Sequence, residues 1–403
     1  MRMQRPEIPH PVLDLRELQI FFVIHAGLAI GITAPSARNI IHCRPPLSSV
    51  LSTFTVLMRR LLALLDTPAG RAARYACSAL LVAALVGSID WHQFSGLRGK
   101  FSLGPVAAAT LVAGITFPLH AWRWWLLLRA QGLTLSLHWA HVVTWIGNFY
   151  NAFLLGGLGG DAARAFYVCR DAPTTLRGPS APPVSSIALP VSASAAGLAA
   201  TVLDRILGLV VLLSLAVVTL LLKLDTVARH TELRLLLALC AALSAASVVA
   251  CVFLCRRPPA WLARRLGEQR TATLADIFIR ARATPSVFIS ALVMSYAIWL
   301  LDFLSVWLLA RSVGLPLPFI EVSLAMSVAY AATVLPVSVG GHGIREGALL
   351  GMLALLGLLP DDASRQLALL LAVLVWAVSV IWSLFGGIAA LFARRLLPFS
   401  ASA

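Results

Sequence analysis

Asn148–Arg164 reads NFYNAFLLGGLGGDAAR, and this stretch decides how the rest of the chain is read. Its flanks are long apolar runs, yet it gathers Asn148, Asn151, four glycines (Gly156, Gly157, Gly159, Gly160), Asp161 and Arg164. Four glycines do not sit comfortably in one helix, since each costs about 1 kcal/mol against alanine. A helix that merely ends at an interface needs one capping glycine rather than four. At membrane depth the freed backbone groups must find partners in protein or cavity water. The stretch therefore predicts a broken, polar segment inside an apolar bundle, and with it a candidate site.

The composition fits that setting. Of 403 residues, 59% are hydrophobic and 12% charged, about half the charged share of a soluble domain. Mean hydropathy is +0.87. The net charge of +15 comes from 32 Lys and Arg against 17 Asp and Glu. These basic residues cluster between apolar runs, which points to cytoplasmic loops and anionic headgroups, not to nucleic acid. The six cysteines form no disulfide framework, and Cys251 and Cys255 have no His or acid beside them to make a zinc site.

Outward from the glycine stretch, apolar runs at Tyr75–Ile89, Pro105–Leu128 and Trp139–Leu155 precede it. Ala199–Leu222, Leu233–Leu254, Val287–Ala310, Phe319–Leu335, Ala348–Leu358 and Gln366–Phe392 follow. The expectation is an all-α, multi-pass bundle of seven to eight spans with two broken or re-entrant segments. Arg123, among Trp122, Trp124 and Trp125, reads as an interface anchor. The loop Arg256–Arg282 holds seven arginines against Glu268 and Asp276, and Arg394-Arg395 follow the last span. Both are expected on the cytoplasmic side. Residues 172–197 begin as a Pro/Ser-rich loop. Residues 1–74 read as an extension to a domain at 75–395, with a short tail at 396–403. Leu18–Ile32 is short for a span and fits a signal core, a tilted helix or untranslated sequence, and Met58 has the setting of a start.

A second glycine segment, Leu335 to Arg345, aligns with Leu154 to Arg164. Both read Leu, four residues, Gly-Gly, three residues, Arg, which suggests an internal repeat with its site at the repeat interface. On that alignment Arg164 and Arg345 are expected to converge on one headgroup.

NAFLLGGLGGDAAR, VLDRILGL and LPVSVGGHGIREGALLGML, in this order and spacing, resemble the signatures of the flippase-like family. That family is the transmembrane region of lysylphosphatidylglycerol synthases and its standalone relatives. The resemblance covers about residues 75–395. Leu155 departs from the first segment, where proline is usual, and Val337 and His342 vary the second. It implies a standalone, lipid-handling membrane domain without the soluble synthase domain.

Intramembrane ionisable residues are costly and are read as functional. Arginine forks and glycine-exposed N–H groups suit a phosphate. The substrate-binding candidates are Asn148, Asn151, Gly159, Gly160, Asp161, Arg164, Asp204, Arg205, Gly340, Gly341, Arg345 and Glu346. Internal pairing of Arg205 with Asp161 and of Arg345 with Glu346 is the competing reading. Asp302 carries no assigned role. His342 with Glu346 is the only acid–base spacing for a transferase, and a lone pair is a weak one. No catalytic residue, metal or cofactor is expected, and no Walker-type loop is present to use ATP. The leading expectation is a non-enzymatic translocator of an anionic lipid, a phospholipid or polyprenyl phosphate, in the cytoplasmic membrane. The alternative is a lipid-modifying transferase or an accessory subunit of a lipid or glycan pathway. Expected partners are anionic lipids, with a homo-oligomer and enzymes of the same pathway left open.

Overall fold

The computed structural model describes Gly87 and residues 102–153, 159–171, 193–256, 284–333 and 341–397. The run at 75–89, apart from Gly87, the glycine tips at 154–158 and 334–340, and the loops at 172–192 and 257–283 lie outside the described residues. So does residue 1–74 as a whole. Every element among the described residues is helical. They are α1 (Leu103–Ala130), α2 (Leu137–Phe153), α3 (Gly159–Asp171), α4 (Ala193–Leu221), α5 (Leu224–Arg229) and α6 (Thr231–Arg256). After the basic loop come α7 (Pro285–Ser312), α8 (Phe319–Ala332), α9 (Ile344–Leu355), α10 (Asp362–Leu391) and α11 (Ala393–Leu396).

Four of these, α1, α4, α7 and α10, are long and apolar enough to cross a membrane. At 1.5 Å per residue, the 28 residues of α1 reach about 42 Å, against about 30 Å of hydrocarbon. The shorter helices form hairpins. Gly160 N–H donates to Asn151 Oδ1 (2.7 Å), and Trp139 Nε1 donates to Asp171 Oδ2 (2.6 Å). As α3 advances, its partner residues on α2 recede, so the two run antiparallel. α8 and α9 repeat this, with Gly341 against Thr333 and Arg345 over Tyr330. Helices of 12 to 17 residues fall short of the roughly 20 needed to cross, so each hairpin enters and leaves on one side.

The described residues thus hold two copies of one unit, long helix, hairpin, long helix (α1 to α4 and α7 to α10), with α5 and α6 between them. α1 and α7 are both 28 residues long, and the turn after each is the same. Arg129 lies over Trp125, and Trp125 Nε1 donates to the Leu135 carbonyl (2.8 Å). Arg311 lies over Trp307, and Trp307 Nε1 donates to the Leu317 carbonyl (3.0 Å). Gly132 and Gly314 take φ of 88° and 77° at equivalent places. The copies are inverted: Ser102 N–H at the start of α1 donates to Ser312 at the end of α7 (3.0 Å), while Arg123 near the end of α1 reaches Ser295 near the start of α7. An axis in the membrane plane relates such units.

Aromatic packing closes the halves on each other. Trp382 of α10 packs on Phe117 of α1 and Trp145 of α2, with centroids 5.9 and 5.8 Å away, and donates Nε1 to the Thr110 carbonyl of α1 (2.8 Å). Trp299 of α7 does the same to Gly208 of α4 (2.8 Å). Pro118 lies inside α1, removes one N–H and leaves the Gly114 carbonyl without its intrahelical donor.

Candidate functional site

The first hairpin and the two long helices beside it carry a buried charge network. Pro118 lies five residues before Arg123, whose Nε donates to Asp204 Oδ1 (2.7 Å) and whose Nη1 donates to Ser295 Oγ (2.8 Å). His120 Nδ1 lies 3.5 Å from Arg123 Nη2. Arg164 of α3 donates Nη1 to the other oxygen of Asp204 (3.2 Å) and sits over the Trp124 ring, 5.0 Å from its centroid. Arg205 Nε meets Asp161 Oδ2 at 2.9 Å. The adjacent residues Asp204 and Arg205 therefore point to different partners and tie α4 to both α1 and α3. Among the described residues three guanidinium groups face two carboxylates here, one more positive than negative charge. Arg123, Asp204, Asp161 and Arg164 are nearly closed off, whereas the Arg205 side chain is 48% exposed.

Arg123 corrects the reading of the sequence. It is no interface anchor: it is 3% exposed and forms the base of the network. The aromatic residues around it masked the signal, but an arginine seven residues before the end of a long apolar helix, with an Asp in a later span, was the available clue.

The asparagines have structural duties. Asn151 caps α3 through Gly160, and Asn148 Nδ2 donates to Ser383 Oγ of α10 (3.1 Å). A Cβ at Gly160 would overlap the Gly147 carbonyl and come within 2.5 Å of Asn151 Nδ2, so glycine permits the close crossing of the hairpin arms. Gly159, buried beside it, opens the helix. The N–H that the sequence offered to an anion is already taken by Asn151.

In the second hairpin Arg345 donates Nε and Nη2 to Glu346 Oε1 (2.9 and 2.5 Å), and Glu346 Oε2 accepts the Gly343 N–H (2.8 Å). Gly341 has φ 76°, and a Cβ there would press on Thr333. Gly340 lies outside the described residues. His342 and Glu346 form no pair: the carboxylate is occupied by Arg345 and the Gly343 N–H. Arg164 and Arg345 do not share a partner either. Among the described residues each pairs within its own half.

A bundle of inverted repeats with re-entrant hairpins and a charged interior defines a polytopic helical membrane protein. The chain belongs to the family described as the lysylphosphatidylglycerol synthase TM region, whose model matches residues 71–387. No curated protein matches it. Membership makes this an integral membrane protein of lipid-related processes.

Proposed function

We propose that the protein binds an anionic membrane lipid and moves it across the cytoplasmic membrane, without changing it covalently. The observation that carries this reading is the buried Arg123–Asp204–Arg164–Asp161–Arg205 cluster, with three guanidinium groups to two carboxylates among the described residues and the Arg205 side chain half exposed at its edge. Arginine-rich clusters of this kind suit a phosphate, which the half-exposed Arg205 reaches with a charge-assisted hydrogen bond. The inverted hairpins support the same reading, since they open the two halves to opposite sides of the bilayer. The start of α7 and the end of α10 share one end of the bundle, where Ala291 and Ala393 pack in one cluster. Their basic flanks then face the cytoplasm, and the first hairpin opens there.

The test is reconstitution into phosphatidylethanolamine–phosphatidylglycerol vesicles carrying acyl-labelled phosphatidylglycerol, with the inner-leaflet pool read by quenching. Wild-type protein exchanges the label between leaflets, and Arg205→Ala slows exchange about tenfold, the size of one charged hydrogen bond. Exchange no faster than in protein-free vesicles removes the reading. A new lipid species in the mass spectrum replaces it with a transferase.

A further inference from the structure

The leading long helix of each half carries one titratable side chain at the same place, ten residues before its end: His120 in α1 and Asp302 in α7. His120 stands beside Arg123 in the first cluster. Asp302 lies one turn beyond Trp299, whose ring meets Tyr330 at 4.9 Å, and is within electrostatic range of Tyr330 and Arg345. Ten residues place it about 15 Å from the end of α7, at membrane depth.

Arg345 is not free to neutralise it. Two of its nitrogens hold Glu346, and that pair already balances one charge with one. Asp302 itself has no hydrogen bond or ion pair among the described residues. Among the described residues of the helices packed on α7, the other cations are engaged elsewhere: Arg129 at the end of α1 lies over Trp125, and Arg365 at the start of α10 meets Asp362. Arg123 of α1 and Arg205 of α4 are held by Asp204 and Asp161. Glu321 of α8 is taken by Lys223, His342 sits in the turn before α9, and α10 has no charged side chain from Gln366 to Leu391. A second carboxylate beside a closed pair leaves negative charge inside the membrane, which is retained where a cation or a proton compensates it. No group of three metal-ligating side chains stands there among the described residues.

We propose that Asp302 is a proton-binding site that couples lipid movement to a proton gradient. The coupling rests on the lipid-moving reading; the proton site does not. Water on one side gives Asp302 one proton, making the neutral acid. The same O–H bond breaks toward the other side when the hairpins exchange access, and the carboxylate is restored.

Two measurements test it in the same vesicles. With a gradient of one pH unit, wild-type protein biases labelled phosphatidylglycerol between leaflets, by at most about tenfold. Asp302→Asn loses the bias. Infrared spectra of wild type at neutral pH show a protonated-carboxyl stretch that is missing in Asp302→Asn and retained in Asp302→Glu. A bias that survives in Asp302→Asn, or one driven equally by sodium, overturns the coupling. A stretch absent from wild type overturns the site. Lipid exchange with no gradient response and no stretch sinks this inference alone; a stretch without lipid exchange sinks the lipid reading alone.

Discussion

In the first half, α4 carries Asp204 and Arg205 into the bundle, whereas its counterpart α10 runs from Gln366 to Leu391 with no charged side chain. The first cluster consequently cross-links three helices, α1, α3 and α4. The second is a pair of neighbours on one helix, Arg345 and Glu346. Backbone architecture was duplicated and charge was not. Long helices, hairpins and Trp–Gly turns recur because they solve the same packing problem twice. Charges are free to differ, since each half faces a different side of the membrane.

The largest test of that contrast removes one acid from each half. Asp204→Asn leaves Arg123 and Arg164 buried without their shared carboxylate, a loss of about 3–5 kcal/mol. Glu346→Gln leaves Arg345 with Asp302 still in electrostatic range, so its loss is smaller. Thermal unfolding in detergent, followed by size exclusion, ranks the two. Equal losses would mean that the first network does not hold its three helices together.

Glycine substitution comes next and should affect both halves alike. Gly160→Ala forces the arms of the first hairpin apart against the Gly147 carbonyl. Gly341→Ala meets Thr333 and a left-handed φ. Each costs about 1–3 kcal/mol by overpacking or backbone strain. The same unfolding measurement reads both; a neutral Gly341→Ala would show the second hairpin to be looser than the first.

Much of this architecture was legible in the chain, for definite reasons. The spans follow from apolar length: Pro105–Leu128 became α1, Val287–Ala310 became α7 and Gln366–Phe392 became α10, each within a few residues. Doubled glycine-glycine segments marked both hairpins. Partner choice was legible in part: the Arg205–Asp161 and Arg345–Glu346 pairs found here are the internal pairings weighed from sequence, but nothing local says that Asp204 joins Arg123 of α1 to Arg164 of α3. Arg123 was hidden by its tryptophans, which look like a headgroup belt from sequence. The inverted relation was present in a signal that went unread: Arg129-x-x-Gly132-Leu133-x-Leu135 recurs as Arg311-x-x-Gly314-Leu315-x-Leu317.

That recurring turn yields the finest test of the duplication. In both copies a tryptophan in the last turn and a half of a long helix donates its indole N–H to a carbonyl ten residues on, at 2.8 Å from Trp125 and 3.0 Å from Trp307. In both, an arginine one turn later covers the ring, at 4.9 Å for Arg129 and 4.4 Å for Arg311. Phenylalanine keeps most of the ring and its cation–π contact but has no N–H, so the substitution isolates the hydrogen bond. One such bond contributes about 1 kcal/mol net. Trp125→Phe and Trp307→Phe should therefore each lower stability by about that amount, and by the same amount as each other, although they lie at opposite ends of the bundle. The two sites share no partner, so the double variant should show the sum. A loss at one turn several times that at the other would break the equivalence of the halves at the feature where their geometry agrees best.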